Sequence, residues 1–275
     1  MKCRNYILFF VLALLGVGTY YIVTIFQEAF GVAEELPAYS IPPKHNDDTL
    51  RVAIIGDSWA WIHAEMNYDT LFEQYAQRLT SRPVKCFSKG HNGQKTKGVY
   101  YDMFANRDVK YEWERTYCTQ SLLEQHPDYC VVMAGINDLC RQVPPETYAE
   151  NYRLIIQLLL KNGIRPVVME IPEFDVVAAC KQLGEVKYNC YRYLSLFTRA
   201  GWNDNCYSNS LISMVKKNGL TKGIVFVPAS CWGKNGVTGK TDIYMDDRLH
   251  PNELGFQLLD SCVVSAIVKD YNITN

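Results

Sequence analysis

Short apolar runs alternate along the chain with longer segments whose apolar residues recur at helical spacing. Val52-Ala53-Ile54-Ile55 stops at Gly56, and the run from Tyr129 to Ala134 stops at Gly135. Apolar runs of this length, bounded by glycine, read as buried strands. Val84–Phe87, Pro166–Ile171 and Ile224–Val227 add three more. Between them, Ala64–Leu79 reads as a helix with Leu71, Phe72, Tyr75, Ala76 and Leu79 as its apolar positions. Ser121–Gln125 reads as a helix end before Pro127, and Pro251 to about Val268 as the closing helix. Pro145–Lys161 is the clearest helix, with proline in its first turn and Gly163 after its end. Apolar strands separated by helices predict a parallel sheet covered on both faces. The fold class expected is therefore α/β, a three-layer α/β/α sandwich with a parallel sheet of about five strands. Residues 105–120 and 173–205 break the repeat and are rich in Tyr, Trp, Asn and Arg. They are expected to be irregular and to form pocket walls at the carboxyl ends of the strands, where open parallel sheets bind ligands.

The N-terminus follows a different pattern. Lys2 and Arg4 precede an uncharged run from Tyr6 to Phe26. A helix of roughly 20 apolar residues crosses a bilayer, whereas a cleaved signal peptide has an apolar stretch of about 7–15. Residues 1–27 are thus expected to be a transmembrane helix and membrane anchor. Basic residues on its N-terminal side put the rest of the chain outside the cytoplasm, periplasmic or extracellular. Gly31-Val32-Ala33 offers small residues for cleavage, in which case the chain is secreted. Residues 28–50, with Pro37, Pro42, Pro43 and a polar run through Asp48, are expected to be a linker, and residues 51–275 the globular domain.

Composition narrows the function. Hydrophobic residues make up 48% of the chain and charged residues 21%, enough for a packed core. Twenty-eight basic against 29 acidic residues give a net charge of −1. No basic surplus exists to neutralise a phosphate backbone, which excludes nucleic acid as a partner and favours a substrate of little charge. Of the 10 cysteines, nine follow the membrane run. Exported chains hold disulfides, and Cys180, Cys190 and Cys206, clustered in one stretch, are the candidates for pairing. Cys130, inside an apolar strand, reads as a small buried hydrophobe. The absence of any C-x-x-C pair argues against a zinc or thioredoxin-type site.

Three polar clusters sit at strand exits or at a loop-to-helix junction: Gly56-Asp57-Ser58-Trp59, Gly135-Ile136-Asn137-Asp138 and Asp247-Arg248-Leu249-His250. A strand stopping at Gly56 lets the chain turn and present Ser58 at the start of a helix. There it serves as a nucleophile if a base lies beside it, or simply as a helix cap. His250 is the candidate base and Asp247, three residues earlier, the carboxylate that would fix its tautomer, with Asp246 as the alternative. Acyl transfer also needs donors aimed at the oxyanion. The Ser58 N–H, the Asn137 amide and the Gly93 N–H of Asn92-Gly93-Gln94 are candidates, although Asn-Gly is also a common turn. His63 and His91 are candidates for the cleft wall only.

These clusters, in this order, resemble the SGNH hydrolase superfamily, also called GDSL-like lipases and esterases. The resemblance spans about residues 51–255. It implies a flavodoxin-like SGNH fold, Ser58, His250 and Asp247 as catalytic residues, and an oxyanion hole of Ser58, Gly93 and Asn137. It also implies supporting roles for Gly56, Asp57, Gly135 and Asp138. Trp59 departs from the usual residue after Gly-Asp-Ser, and Gly90 competes with Gly93 for the second block. The chemistry implied is ester hydrolysis through an acyl-serine, with no cofactor and no metal. The expected substrate is a small-molecule or glycan ester, most simply an O-acetyl group on carbohydrate, because Tyr191-Arg192-Tyr193 and Trp202-Asn203-Asp204-Asn205 suit sugar stacking. Alternatives with the same site are an O-acetyltransferase of envelope polysaccharide and a lysophospholipase or thioesterase. A non-catalytic glycan-binding protein on the same scaffold is a further one.

Overall fold

The computed structural model describes residues 16–17, 19–20, 30–172, 174–182, 184–198, 204–231 and 241–274. The expected membrane run lies almost wholly outside them; among the described residues no helix is long and apolar enough to cross a membrane. Contacts divide the chain into two units, Met1–Val32 and Ala33–Asn275.

Five strands form one sheet: β1 (Leu50–Gly56), β2 (Val84–Gly90), β3 (Tyr129–Met133), β4 (Arg165–Met169) and β5 (Val225–Val227). Their order is β2-β1-β3-β4-β5 and every pairing is parallel. β1 and β3 carry unbroken apolar runs because helices cover both faces, and Val52–Ile55 and Cys130–Val132 are fully buried. The chain leaves β1 toward β2 and returns on the other side of β1 to form β3. The order therefore reverses between β1 and β3, and a crevice opens there at the carboxyl ends of the strands.

Ten helices are described: α1 (Ser58–Glu65), α2 (Tyr68–Thr80), α3 (Thr96–Asp102), α4 (Gln120–Leu123), α5 (Ile136–Cys140), α6 (Pro145–Lys161), α7 (Val176–Gln182), α8 (Glu185–Thr198), α9 (Asp204–Lys217) and α10 (Glu253–Thr274). α2 packs on α10, and α6 packs on α3 and α9. The helix expected over 64–79 is two helices. Asn67 between them takes the left-handed conformation at φ 54°, which asparagine tolerates better than most residues and which no helix interior accepts. The stretch 173–205, expected to be irregular, is largely helical in α7 and α8. Residues 105–120 are irregular apart from a 3-10 helix over Glu112–Tyr117 and the first residue of α4.

The segment expected to be a linker is laid along the domain from Ala33. Asn151 Oδ1 accepts the Ala33 N–H at 2.7 Å, and the hydroxyls of Tyr101 and Tyr100 accept the N–H groups of Glu34 and Leu36. Tyr39 donates its hydroxyl to the Met103 carbonyl. A peptide satisfied in this way is ordered rather than a free tether. The cysteines expected to pair do not: all nine described are free thiols, and Cys180 faces Cys140 rather than Cys190 or Cys206.

Candidate active site

Ser58 is the first residue of α1, immediately beyond β1. The turn that presents it is held at three points. The Asp57 N–H donates to the Met133 carbonyl at the end of β3 at 2.9 Å. Asp57 caps α1 by accepting the Trp59 N–H at 3.0 Å, and its second oxygen accepts the Asn137 side-chain amide at 3.2 Å. Gly56 must lack a side chain, since a Cβ would stand 2.0 Å from the Met133 carbonyl oxygen. Gly135, at φ 121°, would drive a Cβ to 2.7 Å from the Tyr148 ring. Glycine at both strand exits lets β1 and β3 lie close enough for Asn137 to reach Asp57. Burial pushes the Asp57 carboxyl up to about 7, against the opposing hydrogen bonds from Trp59 and Asn137.

His250 arrives from the other end of the domain on a turn that precedes α10. Tyr244 bridges to Pro251, the Met245 N–H donates to the His250 carbonyl, and Arg248 takes a left-handed φ of 60°. Inside the turn Asp247 Oδ1 accepts the N–H groups of Leu249 (2.9 Å) and His250 (3.0 Å), while Oδ2 meets His250 Nδ1 at 2.5 Å. Burial alone would raise the Asp247 carboxyl, but these bonds outweigh it and hold the group below the usual carboxylate range. The other ring nitrogen, Nε2, stands 2.8 Å from Ser58 Oγ. Asp246 is exposed and offers only its carbonyl, which Gln182 binds. Hydroxyl, imidazole and carboxylate therefore form one hydrogen-bonded chain at the rim of the sheet.

Gly93 and Gly90 separate cleanly. A Cβ on Gly90 would sit 2.2 Å from the Asp57 carbonyl oxygen and 2.3 Å from the Trp61 nitrogen, so Gly90 lets β2 pack against α1. Gly93, at φ 72°, has open space apart from the tip of Arg141, and its N–H has no acceptor among the described residues. Asp138 secures this loop: it is fully buried, and Oδ2 accepts the Thr96 N–H at 2.8 Å and hydroxyl at 2.9 Å. Burial pushes Asp138 up to about 6, against those two bonds. α5 is held from behind by α9, whose Tyr207 hydroxyl donates to the Asp138 and Val143 carbonyls.

The two histidines expected at the cleft wall differ. His63 is fully buried and lines nothing: Nδ1 meets Asp69 and Ser88 at 2.9 Å, and Nε2 meets Asp260 at 3.3 Å. His91 is at the rim, where its N–H donates to the Gly56 carbonyl. Its ring bonds Asp102 at 3.0 Å and stacks on Tyr117 with centroids 3.8 Å apart. Tyr191 and Tyr193 lie on α8, with Tyr193 exposed, whereas Trp202 and Asn203 fall outside the described residues. Arg141, which no sequence pattern singled out, caps the C-terminus of α5 and reaches Gly93.

A parallel α/β sandwich with a hydroxyl, an imidazole and a carboxylate in line at its carboxyl rim has the architecture of an acylhydrolase. The chain belongs to the GDSL-like Lipase/Acylhydrolase family, whose model matches residues 54–258, and it is a carboxylic ester hydrolase of the SGNH/GDSL type. No curated protein matches the chain. Among solved structures it is similar in fold to a GDSL-like lipase from Bacteroides thetaiotaomicron, at 15% identity and TM-score 0.51, covering 80% of this chain and 88% of that one. It is similar also to the acetyl xylan esterase AlAXEase, at 18% identity and TM-score 0.52, covering 79% of this chain and 100% of that one. The psychrotrophic esterase EstA from Pseudoalteromonas sp. matches at 16% identity and TM-score 0.52, covering 82% and 100%.

Proposed function

We propose that the chain hydrolyses acetyl esters on carbohydrate through a Ser58–His250–Asp247 triad. The observation that carries this reading is the unbroken hydrogen-bond chain from Ser58 Oγ through both ring nitrogens of His250 to Asp247. His250 Nε2 takes the Ser58 proton as Oγ attacks the acyl carbonyl, and Asp247, kept ionised, stabilises the imidazolium and fixes its tautomer. The free Gly93 N–H, the Ser58 N–H and the Asn137 amide receive the oxyanion. His250 returns its proton to the departing sugar hydroxyl, giving the acyl-serine. It then takes a proton from water, and hydrolysis releases the acid.

A short acyl group is supported by likeness in fold to an acetyl xylan esterase. The uncharged run Tyr6–Phe26 supports a chain anchored in the membrane with this domain outside the cytoplasm. Purified protein tested on acetylated xylan, p-nitrophenyl acetate and p-nitrophenyl palmitate should release acetate from the first two. Turnover of palmitate alone would overturn the reading, and acetyl transfer to an added oligosaccharide in place of acetate release would make the chain a transferase.

A further inference from the structure

Arg141 takes no part in the chemistry described above. It follows α5 directly, four residues beyond Asn137, and is half-buried. Its Nη2 stands 3.1 Å from the point where a Cβ on Gly93 would be, so the guanidinium packs against Gly93. Among the described residues no carboxylate or carbonyl hydrogen-bonds or pairs with it. Lys95 and Lys97 follow Gly93 on the same loop. Burial first, and then repulsion from Arg141 and Lys97, lower the Lys95 ammonium from its ordinary value despite the attraction of Asp138. The carboxylates within range of Arg141 are Asp57 and Asp138, both fully buried. Burial pushes them up to about 7 and about 6, so near neutrality they supply only part of a counter-charge. An idle, half-buried guanidinium gives up hydration without return until an anion occupies it.

We infer that Arg141, backed by Lys95 and Lys97, is a subsite for the carboxylate of an acidic sugar, which makes acetylated acidic polysaccharide the substrate. This rests on the esterase reading and refines it, since whole-chain charge alone favours a neutral glycan. The planar guanidinium fork matches a carboxylate with two parallel hydrogen bonds. A uronate carboxylate held there keeps its sugar against the Gly93 loop and so positions an ester on that sugar, or on the next, toward Ser58.

A binding measurement separates this inference from the hydrolytic one. With Ser58→Ala protein, which cannot turn over, calorimetric titration should show trigalacturonate binding tighter than xylotriose, with the difference shrinking at high salt. Arg141→Gln should weaken trigalacturonate binding by about 10- to 100-fold, the worth of a charged hydrogen-bonded contact. Arg141→Lys, which keeps the charge but loses the fork, should retain part of the preference and guards against a misfolded variant. Equal affinity for the two oligomers, or a parallel loss for both on Arg141→Gln, would overturn the subsite. So would tighter binding of phosphatidylglycerol vesicles than of trigalacturonate. A parallel turnover assay on acetylated polygalacturonate and acetylated xylan reports on the esterase reading: no acetate from either, with uronate binding intact, would sink that reading and leave the subsite standing.

Discussion

His250 Nε2 lies 2.8 Å from Ser58 Oγ although 192 positions separate the two residues in the chain. The contact is made by two ends of the domain meeting at one rim, the exit of β1 and the turn before α10. It depends on the sheet order, because Gly56 and Gly135 bring β1 and β3 side by side while the His250 turn folds over their carboxyl ends. Replacing Ser58 by Ala removes only an oxygen. Turnover of p-nitrophenyl acetate should fall about 10⁴-fold or more with the melting temperature nearly unchanged. An acyl-serine probe that labels the wild type should fail to label the variant; continued labelling elsewhere in the chain would mean another nucleophile.

Asp247 has two functions that a single substitution can separate. Its Oδ1 closes the turn by accepting two N–H groups, and Oδ2 orients His250. Asn keeps one carbonyl oxygen for the turn but presents an amide to the imidazole. Asp247→Asn should therefore lower kcat about 10³- to 10⁴-fold with little change in KM and a small change in stability. Asp247→Ala should cost stability as well, about 1–2 kcal/mol by chemical denaturation. Equal kinetics and equal stability in the two variants would contradict this division.

The strands, α6 and the three polar clusters were legible because each carries a local signal: an apolar run, a first-turn proline, a glycine at a strand exit. Ser58, Asn137 and His250 could be picked out because they directly follow or precede such marks. What could not be read depends on distant partners. His63 looks like a candidate for the cleft wall until Asp260, 197 positions away, is seen to bind it in the core. The linker looks free because its partners, Tyr100, Tyr101 and Asn151, accept backbone N–H groups that leave no trace in composition. Residues 173–205 looked irregular because α7 has only 7 residues and α8 leaves apolar Val186, Tyr193 and Leu196 exposed among polar neighbours, so no continuous buried stripe marks the stretch. Arg141 sits one residue after α5 and gave a usable hint, a cation at a strand-exit block, that the pattern of serine, asparagine and histidine obscured.

Gly90 and Gly93, three residues apart, should respond to alanine in opposite ways. At Gly90 the new methyl meets backbone of the Ser58 turn at 2.2 and 2.3 Å, which neither side can relieve cheaply. Gly90→Ala should destabilise the domain by about 3 kcal/mol or more and reduce soluble yield. At Gly93 the methyl meets only the flexible tip of Arg141, and the cost is the left-handed backbone, about 1–2 kcal/mol. Gly93→Ala should stay folded by circular dichroism while kcat/KM falls roughly 10-fold or more through loss of an oxyanion donor. A folded, fully active Gly93→Ala would move the oxyanion assignment elsewhere.

The buried His63 makes the domain sensitive to alkali. Burial would lower its pKa, but Asp260 and Asp69 outweigh burial and raise it from 6.5 to about 9. Asp69, Asp260 and Ser88 face its nitrogens, and Tyr68, Phe72 and Phe256 surround the ring. The folded state thus binds a proton that the unfolded chain releases near 6.5. The stabilisation is complete below that pH and is lost as pH rises through about 9, amounting to on the order of 2–3 kcal/mol. Urea midpoints should fall between pH 6.5 and 9. In His63→Gln the fall over that interval should be much shallower, whereas an unchanged slope would show that His63 is neutral in the fold.

Cys140 and Cys180 give the clearest redox expectation. Both are buried, and the Cys180 thiol donates to the Cys140 carbonyl oxygen at 3.6 Å. The neighbouring Cys180 thiol, together with burial, holds the Cys140 thiol well above its ordinary pKa, so it is a poor nucleophile in the folded state. Exchange with oxidised glutathione should accordingly be slow in the native protein and fast during refolding. The pair gives up two protons and two electrons, a sulfur–sulfur bond forms, and glutathione is released as two thiols. The cross-link joins residues 40 positions apart and ties α7 to the helix carrying Asn137. In the chain-entropy treatment a loop of that length stabilises the fold by about 4 kcal/mol, less any native strain. Non-reducing peptide mapping of refolded protein should therefore recover a Cys140–Cys180 peptide, and the melting temperature should drop by roughly 5–15 °C on reduction. Recovery of Cys180 linked to Cys190 or Cys206 instead would show that the helices over 176–198 pack differently against α5.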